Sequence, residues 1–107
     1  MKRGDLVAVA LQGTYGKPRP ALVLQSDLFS EHPSVTILPV TSELRAAPLF
    51  RIDLAPTNEN GLRHKAQVMI DKAQTSPIEK AGMVFGRLDD DAMLAINRAL
   101  AVWLGFA

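Results

Sequence analysis

Cysteine is absent from all 107 residues. That excludes disulfide frameworks, thiolate nucleophiles and cysteine-held zinc, and it favours a cytoplasmic setting. Long apolar runs are missing too, and no window approaches the roughly 20 residues of a membrane-spanning helix. The opening Met1-Lys2-Arg3-Gly4-Asp5 is charged at once, without the apolar stretch of a signal peptide, so neither export nor a membrane is expected. Charge of one sign is scarce: 12 basic residues against 11 acidic ones leave a net charge of +1. A polybasic tail is thereby excluded, and any contact with nucleic acid must come from local placement of cations. No HExxH, P-loop, dinucleotide-binding glycine fingerprint or GxSxG elbow is present. The two histidines, His32 and His64, lack flanking carboxylates or cysteines at metal-ligand spacing, so no metal or other cofactor is expected.

What is present reads as one folded domain over residues 1–107, with 48% hydrophobic and 21% charged residues. Leu6 to Leu11 is an apolar run ending in the turn signal Gln12-Gly13-Thr14-Tyr15-Gly16-Lys17-Pro18. Pro20 to Gln25 forms a second run, and Ser26 is placed to cap a single helical turn reaching Glu31. Ser34 to Val40 is rich in β-formers, and its Pro39 suggests an edge or a bulge. Further strands are expected at Leu49 to Leu54, Ala66 to Ile70 and Met83 to Leu88, with a turn at Asn58-Glu59-Asn60-Gly61. Short, closely spaced strands of this kind predict a small antiparallel barrel or sandwich. Asp89-Asp90-Asp91 then opens a helix that Gly105 ends; consecutive carboxylates on a helix point in different directions, so they read as capping and not as a metal site.

Two polar features interrupt this pattern. Arg19 stands between Pro18 and Pro20 at the mouth of an apolar strand, stiffened on both sides. A guanidinium held in this way suits a phosphate or a carboxylate, although an arginine at an ordinary strand edge would look the same. Thr41-Ser42 follows the strand Ile37-Leu38-Pro39-Val40, and two hydroxyls there can equally be a turn cap. Together, one permanent cation and one hydroxyl can bind a phosphodiester and stabilise charge on its non-bridging oxygens. His32 and His64 would be the alternative, as an acid–base pair, but nothing in the sequence brings them together.

These residues fall into an order that resembles the MazF/PemK family of toxin ribonucleases. Arg3-Gly4-Asp5-Leu6-Val7 is similar to the family's opening strand, Lys17-Pro18-Arg19-Pro20-Ala21-Leu22-Val23-Leu24 to its Arg-Pro signature, and Leu38-Pro39-Val40-Thr41-Ser42 to its Pro-Val-Thr-Ser segment. Gly61-Leu62, Ala66 to Thr75, and Gly86-Arg87-Leu88-Asp89 follow its later elements. The resemblance implies an SH3-like small antiparallel barrel with a C-terminal helix, a homodimer, and a cognate antitoxin protein as partner. It also implies metal-independent cleavage of single-stranded mRNA through the ribose 2′-hydroxyl, leaving a 2′,3′-cyclic phosphate and a 5′-hydroxyl. By this resemblance the catalytic residues are Arg19 and Thr41. Tyr15, Lys17, Ser42, Lys65, Lys72 and Gln74 are the expected RNA-binding residues, with Tyr15 stacking on a base.

The chain departs from the family pattern in three places. Its loop before Arg19 is short and carries no acid, Ala66 stands where the family has serine, and Gln74 where it has arginine. Two further readings therefore stand beside the nuclease. One is a catalytically silent RNA-binding relative. The other is a gyrase-poisoning toxin of the CcdB type, whose closing residues Trp103-Leu104-Gly105-Phe106 faintly resemble.

Overall fold

The structure is a computed structural model that describes residues 1–11 and 17–107. Its elements are β1 (Asp5–Ala10), β2 (Pro18–Val23), β3 (Ser34–Thr41), β4 (Arg51–Leu54), β5 (Ala66–Met69), β6 (Gln74–Pro77), β7 (Ala81–Arg87) and the helix α1 (Asp90–Leu104). All strand pairs are antiparallel, in the order β4-β5-β3-β2-β1-β7, with β6 also on β3. This is the expected β-rich architecture with a closing helix. Among the described residues the hydrogen-bonded ladder stays open, with β4 and β7 at its two ends.

The central strands read as continuous apolar runs because they bury both faces. Side chains alternate across a strand, and the core divides accordingly. Leu6, Leu22, Leu38 and Val40 point into one cluster, which α1 covers with Ile96, Ala99 and Leu100. Val7, Val9, Ala21, Val23, Val35 and Ile37 point into a second, completed by Leu11 and flanked by Ile78 and Ala81. Each fully buried Leu or Ile contributes about 1.5–3 kcal/mol relative to exposure, so both faces stabilise the sheet.

The local signals at the helices held. Ser26 caps a 3-10 turn at Asp27–Phe29, its side chain accepting from the Leu28 N–H. Asp89 caps α1 by accepting from the Ala92 N–H at 2.8 Å, and Gly105 ends it in the left-handed conformation. Two strand expectations need correction. Gln74–Pro77 forms a strand that its polar, proline-ended sequence conceals; pairing with Ser34–Ile37 of β3 creates it. Pro39 lies on no edge. It is buried in a central strand, where β3 changes partner from β6, paired at residues 34–37, to β5, paired at Val40 and Thr41.

Candidate functional site

The two prolines around Arg19 decide where β2 and β3 part. The Val23 carbonyl accepts from the Gly4 N–H beside β1, whereas the Leu24 N–H donates to the Thr36 carbonyl on β3. Backbone groups alternate sides along an antiparallel strand, so the nitrogens of Pro20 and Pro18 face β3. Neither can donate. The β2–β3 ladder accordingly stops at Ala21 opposite Pro39. Arg19 remains pinned from behind, paired with Val9 of β1. Beyond Pro39, β3 follows β5 instead, with Thr41 opposite Gln67. The strands diverge and a groove opens between them.

The β2–β3 register runs Val23–Ile37, Leu22–Leu38, Ala21–Pro39; carried two residues further, it sets Arg19 across from Thr41. Cross-strand partners project to the same face. Both residues line one open groove of about 740 Å³, with Ser42, Glu43, Arg63 and His64 around them. Its apolar surface includes Pro20, Pro39, Leu62, Met69 and Phe85. Among the described residues the Arg19 guanidinium has no hydrogen-bond or ion-pair partner, and the residue is exposed. Thr41 is held differently. Its Oγ1 accepts the Glu43 N–H at 3.0 Å, which fixes the side chain and leaves the hydroxyl proton available to a ligand.

The far wall of the groove comes from the loop between β4 and β5, and a buried amide shapes it. Asn60 Oδ1 accepts from the Thr57 and Leu62 N–H groups at 2.9 and 3.0 Å, and its Nδ2 donates to the Ala55 carbonyl at 2.9 Å. This turn lies directly on β7. A Cβ at Gly86 would fall 2.0 Å from the Asn60 carbonyl oxygen, and one at Gly61, where φ is +66°, would fall 2.6 Å from the Phe85 carbonyl. Only glycine permits that approach. Arg63 and His64 emerge from the loop so anchored.

The expected residues thus divide. Arg19, Thr41 and Ser42 meet in the groove. Lys65 is exposed between the groove residues His64 and Ala66, and Lys17 is exposed two positions before Arg19, but neither is part of the lining. Lys72 pairs with Asp71 at 3.5 Å, and Gln74, on β6, pairs with Ile37 of β3; neither lines the groove. Tyr15 lies outside the described residues. Sequence reasoning missed Glu43, Arg63 and Phe85 as groove residues. Glu43 follows the Thr-Ser pair directly and Arg63 follows Gly61-Leu62, so the nearest signals were adjacent. The histidines are separate: His64 lines this groove, whereas His32 lines another cavity, its Nδ1 accepting from the Ser34 N–H at 3.1 Å. Among the described residues no cluster of three or more His, Asp or Glu side chains is arranged to hold a metal ion, and no helix is long and apolar enough to cross a membrane.

Known proteins share the sequence pattern and the fold. The family described as PemK-like, MazF-like toxin of type II toxin–antitoxin system matches residues 2–104. A probable endoribonuclease MazF of Mycolicibacterium smegmatis is 44% identical over 108 residues, covering 100% of this chain and 99% of that protein. Among solved structures, the Mycobacterium tuberculosis toxin MazF-mt6 superposes with a TM-score of 0.81 at 24% identity, covering 94% of this chain and 96% of the other. A mycobacterial endoribonuclease in complex with its cognate antitoxin gives 0.82 at 23% identity, covering 100% and 97%. These structures share the fold.

Proposed function

On the premise that this chain belongs to the PemK/MazF family of type II toxin–antitoxin toxins, we propose that it is an endoribonuclease toxin cutting single-stranded RNA without a metal. One observation carries the reading. A proline-flanked guanidinium, without a partner among the described residues, lines the same open groove as a threonine hydroxyl, level with it when the β2–β3 register is continued past its last pair. RNA supplies its own nucleophile, so the protein needs none. The ribose 2′-oxygen attacks the adjacent phosphorus and loses its proton; the bond to the 5′-oxygen breaks, and that oxygen gains a proton. The products are a 2′,3′-cyclic phosphate and a 5′-hydroxyl. DNA lacks the attacking group and is inert.

Arg19 stabilises the charge that builds on the non-bridging oxygens of the phosphorane. An arginine is a poor proton donor near neutral pH, so charge stabilisation is its role. The Thr41 hydroxyl donates to the same phosphate and fixes its orientation. Ser42 and the cations Lys17, Lys65 and Arg63 steer the RNA backbone toward the groove. Lys72 and Gln74 would contact a longer substrate, beyond the groove lining. A cognate antitoxin would occupy this groove with an acidic segment, as charge complementarity requires. The chain works as a homodimer in the cytoplasm. Exposed apolar side chains on β7, of which Met83 is 85% exposed, offer surface that such an assembly can cover.

The test is incubation of the purified protein with a long single-stranded RNA in EDTA. Discrete fragments ending in cyclic phosphate are expected. RNA that is retarded in a gel yet remains whole would mark a silent binder, and trapped gyrase–DNA adducts with intact RNA would mark a gyrase poison.

A further inference from the structure

The backbone that follows Thr41 is held by a single buried side chain on a neighbouring strand. Gln67 of β5 is only 6% exposed and stands opposite both Thr41 of β3 and Asp53 of β4. Its carboxamide is saturated. Oε1 accepts from the Arg45 backbone N–H and from Arg51 Nη1, both at 3.0 Å. Nε2 donates to the Arg45 carbonyl at 2.9 Å and to Asp53 Oδ1 at 2.7 Å. Both backbone groups of Arg45 therefore end on one amide, which imitates a strand partner for a segment that is not a strand. Arg51 Nη1 carries the connection onward, donating also to the Glu43 carbonyl at 2.8 Å. The Glu43 N–H in turn donates to Thr41 Oγ1.

We propose that Gln67 is the positioning residue for the Thr41 hydroxyl, acting through Arg45, Arg51 and the Glu43 peptide groups without touching substrate. This rests on the ribonuclease reading above. The Thr41 rotamer is set by a hydrogen bond from the Glu43 N–H, and that residue holds its place only while its own carbonyl, in the following peptide unit, and the next turn are tied down. The alternative anchor, the Arg45–Glu43 ion pair at 3.1 Å, joins side chains that are 66% and 75% exposed. Exposed pairs of this kind hold geometry poorly. The amide also suits its neighbours better than an acid would. A glutamate at position 67 would place a carboxylate against Asp53 and lose both donors, so the clasp needs a group that donates and accepts at once.

Gln67→Leu keeps the volume and removes all four bonds. Its kcat on RNA is expected to fall about 10- to 100-fold, as slight misplacement of a catalytic group can, with KM changed less than about twofold. Arg51→Met removes the Nη1 bonds to the Glu43 carbonyl and to Gln67 Oε1 at a less buried position, and gives a second variant should Gln67→Leu fold poorly; it is expected to show a smaller loss with the same split, because Gln67 keeps both bonds to the Arg45 backbone. The decisive arm is the Thr41→Ala background. There Gln67→Leu is expected to change kcat less than about twofold, because effects routed through one group do not multiply. Undiminished cleavage by both single variants, or losses that multiply in the double variant, overturns the proposal. Amide hydrogen exchange at Glu43 and Arg45 reads the clasp whether or not RNA is cut. It is expected to accelerate in Gln67→Leu, and unchanged exchange overturns the proposal. Wild-type protein that leaves RNA intact would instead overturn the ribonuclease reading.

Discussion

The two sides of the groove set a polar residue toward open space by opposite means. On the β2 side, Arg19 has no side-chain partner among the described residues. Its order comes from the backbone: two flanking prolines, and pairing with Val9 behind it. On the β3 side, Thr41 is ordered by side chains and peptide groups that satisfy one another, from Gln67 through Arg51 and Glu43 to its own oxygen, with the Arg45 backbone held by the same glutamine. The difference follows from what each group must do. A cation awaiting a phosphate loses attraction if a carboxylate already neutralises it, so stiffness has to come from covalent geometry. A hydroxyl has one proton to direct and can be held by its lone pairs, so a network serves it.

This contrast predicts unequal responses. Arg19→Ala should have the largest effect, lowering kcat about 100- to 1000-fold, the usual consequence of losing a donor to developing negative charge. Circular dichroism and dimer mass should be unchanged, since no other described residue depends on that side chain; a cleaving Arg19→Ala would remove the charge-stabilising half of the site. Thr41→Ala comes next. Loss of a hydrogen bond to a charged group is worth about 1.5–3 kcal/mol, or about tenfold to a hundredfold in kcat, whereas Thr41→Ser should retain most activity. Equal rates for the alanine and serine variants would show that the hydroxyl is not used. His64→Gln should have the smallest effect, below about tenfold in kcat/KM at low salt, because the imidazole lines the groove only as a contact. A loss beyond about a hundredfold would move proton transfer to His64.

The same contrast explains what could be read in advance. Arg19 was legible because its constraints are neighbours in the chain, and a Pro-Arg-Pro triplet at a strand mouth states its own geometry. The helix was legible for the same reason, with Asp89 and Gly105 marking its ends through local hydrogen bonds and φ preference. Thr41 was visible as a residue but not as a held one, because its support lies in Gln67, 26 positions away. Nothing about an isolated glutamine in Ala66-Gln67-Val68 separates a buried clasp from a solvent-facing strand residue. The strand Gln74–Pro77 and the central place of Pro39 escaped for a related reason, since both depend on which strand lies alongside β3.

Alternation of Leu6, Leu22 and Leu38 against Val7, Ala21 and Ile37, the prolines that end one ladder, and the caps of the final helix are properties of short stretches, and the amino-acid order by itself determined them. Register across strands, the divergence of β3 from β2 toward β5, and the meeting of Arg19, Thr41 and His64 around one groove were decided only by the tertiary structure. Local preferences act over a few residues through sterics and nearby hydrogen bonds. Which distant residues face each other depends on how two-sided strands share a limited apolar interior, and no single stretch of chain contains that information.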